Sequence, residues 1–174
     1  MVELCDVAKR TLVELRLSTA EDGDLGDTGP VQAALDLTLP GPGRTSQVGG
    51  RLAVWLGPGW WLLDDRPDES GGLEAGLVHP LRATGPRTSA VDVSAGFVVL
   101  ELTGPSAAEV LAHGCSIDLH RRSFGPGSSA RTMLAKAQVV LARPDDGPTY
   151  RIWVRTSFSR YLVEWLLDAA VEYR

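Results

Sequence analysis

The sequence predicts an α+β protein built from two related β-α-β-β-α half-domains, each a largely antiparallel sheet with helices packed on it. Three observations carry the prediction. Segments 11–17 (TLVELRL) and 97–104 (FVVLELTG) read as strands, the first alternating apolar and polar residues at the period of a half-buried strand. Each is followed by a Gly-Pro pair, Gly29-Pro30 or Gly104-Pro105, that opens a helix. Each half then passes through a glycine- and proline-rich loop into paired strands and a further helix. The expected division is a first half-domain over 1–90 and a second over 91–174.

Taken in order, 11–17 is followed by an acidic loop, STAEDGDLGDTGP (18–30), whose charge and glycines predict a solvated, mobile segment. Pro30 opens a short helix, VQAALDL, because its missing N–H would be unsatisfied there in any case. RLAVWL and WWLLDD flank Gly57-Pro58-Gly59 and predict a hairpin with a three-residue loop. DESGGLEAGLVHPLRA predicts a weak helix ended by Pro80 or shortly after. In the second half SAAEVLAHG is helical, TMLAKAQVVLAR and TYRIWVR are strands joined by PDDGP, and the chain runs on into SFSRYLVEWLLDAAVEY. In that last helix Tyr161, Leu162, Trp165, Leu166, Ala169 and Ala170 share one face, predicted to lie in the core, while Ser157 or Ser159 is placed to cap its start and Arg155 and Arg160 flank it.

At 174 residues the chain is long enough to bury roughly 70% of its unfolded surface. Its 17 basic and 22 acidic residues give a formal charge of −5, and no basic stripe with interleaved aromatics appears. Affinity for nucleic acid or for anionic membranes is therefore not expected. The N-terminal residues lack the apolar core of a signal peptide, and no apolar run reaches the roughly 20 residues of a membrane helix. Two cysteines, Cys5 and Cys115, are too few for a disulfide framework. A cytoplasmic protein is the expectation.

The densest group of reactive side chains is HGCSIDLH (113–120), with His113, Cys115, Asp118 and His120 in eight positions. Metal binding needs three or four convergent ligands, and the other cysteine and histidine, Cys5 and His79, are remote in sequence. A cysteine nucleophile needs a base and an orienting group, which adjacency of His113 and Asp118 does not by itself supply. The structural reading makes Gly114 a left-handed residue ending the helix, His113 a favourable charge in its last turn, Cys115 and Ile117 core-facing, and Asp118 a local backbone acceptor.

Other signatures of chemistry are missing. No G-x-G-x-x-G opens a helix, PGPGR lacks the lysine and hydroxyl of a P-loop, and no G-x-S-x-G elbow occurs. The pairs Asp64-Asp65 and Asp145-Asp146 fall in or beside turns, where burial that would split their acidities is not expected. The expectation is no catalytic, cofactor-binding or metal-binding residue in this chain. Trp60 and Trp61 must face opposite sides of their strand, so one enters the core while the other is exposed or covered. With Trp55, Trp153 and Trp165 they make a tryptophan-rich chain in which an interface anchor is as reasonable as a covered sheet face.

From residue 91 the ordered set VDVSAGFVVLELTGPSAAEVLAHGCSIDLH, FGPG and YRIWVRTSFSRYLVEWLLDAA, with LAVWLGPGWWLLDD earlier, resembles the γ subunit family of heterotetrameric sarcosine oxidase. The resemblance covers roughly residues 31–172. It implies the first domains of the glycine-cleavage T-protein fold, a folate-dependent aminomethyltransferase fold. It further implies a non-catalytic subunit of a complex that demethylates sarcosine oxidatively in amine and one-carbon catabolism. Its partners would then be alpha, beta and delta subunits, with flavin, NAD and tetrahydrofolate on the larger of them and none in this chain. One departure weakens the alternative, a free-standing T-protein-like module binding folate or another small ligand. Where T-proteins carry a folate-site carboxylate, TMLAKAQVVLAR has no Asp or Glu. An enzyme built on Cys115 is the third and weakest reading.

Overall fold

Ten strands and four α-helices are present in the computed structural model, which describes residues 1–18, 25, 27–68, 70–84 and 88–173. The acidic loop expected over 18–30 falls mostly outside the described residues. The strands are β1 (Glu3–Asp6), β2 (Thr11–Arg16), β3 (Thr45–Val48), β4 (Arg51–Gly57), β5 (Trp60–Asp65), β6 (Ser89–Asp92), β7 (Phe97–Thr103), β8 (Ser128–Leu134), β9 (Ala137–Arg143) and β10 (Thr149–Arg155). The helices are α1 (Gly29–Leu35), α2 (Gly72–Thr84), α3 (Ala107–Ala112) and α4 (Thr156–Ala169).

The strands form two five-stranded sheets, ordered β3-β4-β5-β2-β6 and β1-β7-β10-β9-β8, with every pairing antiparallel. Matched by position, β2-α1-β3-β4-β5-α2 and β7-α3-β8-β9-β10-α4 have the same topology, so the α+β expectation of one unit written twice holds. The fifth strands differ in origin. In one sheet β6 follows α2 along the chain, whereas in the other the place beside β7 is taken by the N-terminal β1. The chain accordingly divides into Lys9–Ser94 and a unit of Met1–Ala8 with Ala95–Arg174. The expected 1–90 half-domain had included residues 1–8; the register Glu3↔Thr103 to Asp6↔Leu100 puts them with the second half.

Within Lys9–Ser94 the helices bury a leucine stripe on one face of the sheet. Val31 and Leu35 of α1 and Leu73, Leu77 and Leu81 of α2 pack on Val13, Leu15, Ala53, Trp61 and Leu63. That stripe carries α2 through Pro80 to Thr84, so the helix ends shortly after the proline rather than at it. Proline there removes a single helical hydrogen bond, and burial of Leu81 on the far side offsets the loss. Pro30 sits in the first turn of α1 as expected, and the helix ends on Asp36, whose φ of 51° places it in the left-handed region. The Trp hairpin turns on Pro58-Gly59 alone. Gly57 belongs to β4, and a bulge between Trp55 and Gly57 absorbs the residue expected in the loop.

In the other unit α3 and α4 cover β7, β9 and β10, with Val110, Leu111, Leu162 and Leu166 against Leu100, Leu141, Ile152 and Val154. TMLAKAQVVLAR is two strands rather than one. It folds back at Ala135-Lys136, where Ala135 takes φ = 50°. Alanine in that conformation is uncommon, and tertiary bonds hold it: Ala135 N–H donates to Gly114 O at 2.9 Å, and Lys136 N–H to the Tyr161 hydroxyl at 3.3 Å. Neither Ser157 nor Ser159 caps α4. Ser159 Oγ donates instead to Thr156 O at 2.8 Å, and Thr156 Oγ1 to Ala95 O at 3.0 Å.

Candidate functional site

The eight residues of HGCSIDLH leave α3 and run along the edge of β8. Cys115 N–H closes the helix on Leu111 O at 2.8 Å, Cys115 bridges Leu134, and Ser116 N–H donates to Met133 O at 3.2 Å. Gly114 is not left-handed, contrary to the expected helix cap. It is required for space: a Cβ there would lie 2.7 and 2.8 Å from Cζ2 and Cη2 of Trp165 and 3.0 Å from Ala135 N. The glycine lets the helix end, the β8–β9 turn and α4 meet at one point.

That path divides the motif. His113 Nε2 lies 3.0 Å from the Tyr173 hydroxyl, with the two rings edge to face at 5.9 Å. Cys115, Asp118 and His120 line a cavity of about 520 Å³ on the other side of α3. Asp118 accepts hydrogen bonds from Ser123 Oγ at 2.6 Å and from His120 N–H at 2.8 Å, as its local-backbone reading required. Those bonds, the serine's first, hold its carboxyl below the usual range. Cys115 is half-buried against the core, and among the described residues no imidazole hydrogen-bonds its thiol. Among the described residues there is also no grouping of three His, Cys, Asp or Glu side chains able to hold a metal ion. Both cysteines are free thiols, and Cys5 is exposed, its thiol held up by its hydrogen bond to Glu3.

The remaining wall of the cavity comes from residues the sequence did not single out. Arg143, at the end of β9, is 7% exposed, and Tyr150, at the start of β10, is 3% exposed. Arg143 Nε donates to Gly147 O at 3.3 Å and Nη2 to Asp146 O and Gly147 O at 3.3 Å, bracing the β9–β10 loop. Burial pushes the Tyr150 phenol up, against an opposing pull from Arg143. An arginine closing a strand is an ordinary exposed position in sequence. Nothing in VVLARPDDGPTY announces that it turns inward.

The two acidic pairs separate. Asp145 accepts Gly147 N–H at 2.8 Å and Asp146 pairs with Arg121, both in the loop as expected. Asp64 is not in a turn: it lies in β5, fully buried, with Arg10 Nε at 2.5 Å. Arg10 supplies the charge that makes burial tolerable and is itself tied to Gly50 O at 2.9 Å. Asp65 points the other way along the strand and pairs with Arg51 at 2.7 Å. Trp61 enters the core and donates to Pro40 O at 2.9 Å, while Trp60 is half-buried beneath the Arg16 guanidinium, 4.2 Å from the ring.

Two duplicated antiparallel sheets, each with its helices on one face, define a T-protein-like fold. An aminomethyltransferase T from Bartonella henselae shares it, with a TM-score of 0.60 and 22% identity over 95% of this chain and 45% of that one. The chain belongs to the sarcosine oxidase γ subunit family: the model of that family matches residues 20–172. A sarcosine oxidase subunit γ from Arthrobacter sp. is 36% identical over 99% of this chain and 81% of its own length. A chain of heterotetrameric sarcosine oxidase from Corynebacterium sp. U-96 superposes with a TM-score of 0.85 and 36% identity, covering 99% of this chain and 85% of that one. Among the described residues no helix is long and apolar enough to cross a membrane.

Proposed function

We propose that this chain is a γ subunit of a heterotetrameric sarcosine-oxidase-like complex and contributes architecture rather than catalysis. The observation that carries the reading is the agreement over 99% of the chain, in sequence and in fold, with a chain of such a heterotetramer. Partner subunits follow from that assembly, and the cofactors of an oxidative demethylation belong on them: flavin, NAD and tetrahydrofolate on the larger alpha and beta chains, with a delta chain completing the set. In this chain no residue is assigned to catalysis, cofactor or metal. The chemistry of the site fits, since Cys115 and Asp118 are engaged by packing and by local hydrogen bonds rather than aligned with a base.

The test is purification of the tagged chain from its native host, with an absorption spectrum of the eluate. Co-eluting larger chains with flavin absorption, beside a colourless chain inactive towards sarcosine when expressed alone, is the expected result. A chain that elutes alone and takes up a folate would favour the free-standing binding module. Peroxide formed from sarcosine by the isolated chain would overturn the subunit reading outright.

A further inference from the structure

Arg143 is a buried cation without a counter-ion. Its hydrogen bonds, all at 3.3 Å, go to main-chain carbonyls, and among the described residues no carboxylate lies within ion-pair distance of it. The two acids of its own loop are engaged elsewhere, Asp145 with Gly147 N–H and Asp146 with Arg121. A guanidinium removed from water is ordinarily matched by an anion, because desolvation of the charge is otherwise uncompensated. The Nη1 group has no acceptor among the described residues and is not sealed from solvent, since the buried unpartnered side-chain atoms do not include it. The side chain lies in the wall of the 520 Å³ cavity, which leaves Nη1 free to meet a ligand there. Beside it is Tyr150, whose phenol is protonated at neutral pH and hence a donor, burial pushing it further up.

The rest of the wall narrows the ligand. Ala108, Ala112, Cys115, Ile117 and Leu119 supply an apolar side. At the rim stand Glu109 and Asp118, both exposed, together with His120 and the already paired Arg121. Asp118 stays ionised through its bonds to Ser123 and His120. The charge of Glu109 reaches the Tyr150 hydroxyl. Water screens its repulsion of a single negative charge, and each further charge on a ligand adds to that repulsion. A cavity of this volume is within the range of small-molecule sites.

We propose that this cavity binds a small monocarboxylate with an apolar body, its carboxylate held by Arg143 Nη1 and the Tyr150 hydroxyl, and that it excludes polyanions. The assignment does not depend on assembly with partner chains.

Phenylacetate, its neutral isostere phenylacetamide, and citrate are titrated into the full-length ¹⁵N-labelled chain and into any purified assembly containing it. Amide shifts at Cys115, Ile117 and Leu119 report the cavity. Phenylacetate should shift these amides in both preparations, with phenylacetamide and citrate weaker by about tenfold or more, the scale of a charge-assisted hydrogen bond. Arg143→Gln should abolish the preference for acid over amide, and Arg143→Lys should restore part of it. Because Arg143 also braces the β9–β10 loop, Tyr150→Phe serves as the milder variant: it keeps the ring and should weaken phenylacetate several-fold. Equal binding of acid and amide, shifts that map elsewhere, or no binding would each overturn the proposal. Binding to the isolated chain but not to the assembly would also overturn it, since the cavity would then be covered where the chain works.

Discussion

Glycine 114 is where three elements meet, and it yields the sharpest expectation for a single residue. Gly114→Ala adds a methyl group 2.7 Å from the Trp165 ring and 3.0 Å from Ala135 N, so the indole must move or the turn must open. Overpacking of this kind costs on the order of 1–3 kcal/mol. Because the clash is with one side chain first, Gly114→Ala combined with Trp165→Leu should lose less than the sum of the two single changes. Denaturant midpoints of the four proteins measure this, and strict additivity would remove Trp165 as the partner. Acid titration offers a second expectation. Asp68 accepts Ser70 N–H, Ser70 Oγ and Leu73 N–H, and Asp118 accepts Ser123 Oγ and His120 N–H. Ser70 and Ser123 lead in holding these two carboxyls below the ordinary value of 3.8. A depressed folded-state value adds stability that is present above the unfolded value and is lost as pH falls through the folded one. Their contribution should therefore disappear below about pH 4, and the double variant Asp68→Asn/Asp118→Asn should show a flatter loss of Tm on acidification. An unaltered acid limb would mean that neither carboxylate is favoured in the fold.

Among the elements, α4 tests how a helix face divides its work. The face read from sequence is correct in direction, but its residues are not equally buried. Leu162 and Leu166 are fully buried, while Tyr161, Trp165 and Ala169 are half-buried at the margin of the core. Leu166→Ala should cost about 2–5 kcal/mol, as large-to-small core changes do, and Trp165→Ala should cost less than the 3–5 kcal/mol of a wholly buried tryptophan. Urea unfolding of both variants decides the order; a larger loss at Trp165 would make the indole a core residue. The same elements show what the sequence discloses. Alternation exposed β2, Gly-Pro exposed the starts of α1 and α3, and the apolar spacing exposed α4, since each depends on local periodicity or on proline's fixed geometry. The turn at Ala135-Lys136 was hidden because neither residue favours positive φ, and it exists through bonds to Gly114 and Tyr161 that are remote in sequence. β1, β3 and β6 are four-residue strands at sheet edges, too short to display a period. In the site, Cys115, Asp118 and His120 were visible as a cluster, whereas Arg143 and Tyr150 join them only through the folding back of β9 and β10.

At the level of the whole chain, the N-terminal residues complete a sheet whose other strands begin about 90 residues later. β1 pairs with β7 over Glu3–Asp6, Val7 N–H extends the ladder to Val99 O at 2.9 Å, and Val2 and Leu4 pack on the core. Gly104, at φ = 132°, admits the strand's start: a Cβ there would lie 2.3 Å from Met1 O. Removing Met1–Ala8 should expose the edge of β7 and forfeit the apolar contacts of Val2 and Leu4. Partial burial of two such side chains is worth about 2–3 kcal/mol together. The loss should be confined to the unit of Ala95–Arg174, because no strand of the β3-β4-β5-β2-β6 sheet pairs with β1. Hydrogen exchange on the truncated chain reads this directly. Amides of β7 and β10 should lose protection while those of β4 and β5 keep theirs. Equal loss in both sheets would mean that the N-terminal strand stabilises the chain as one cooperative block, and unchanged protection in β7 would mean that the strand is dispensable. An exposed β7 edge is also a template for strand addition, so the truncated chain should self-associate at concentrations where the full-length chain does not.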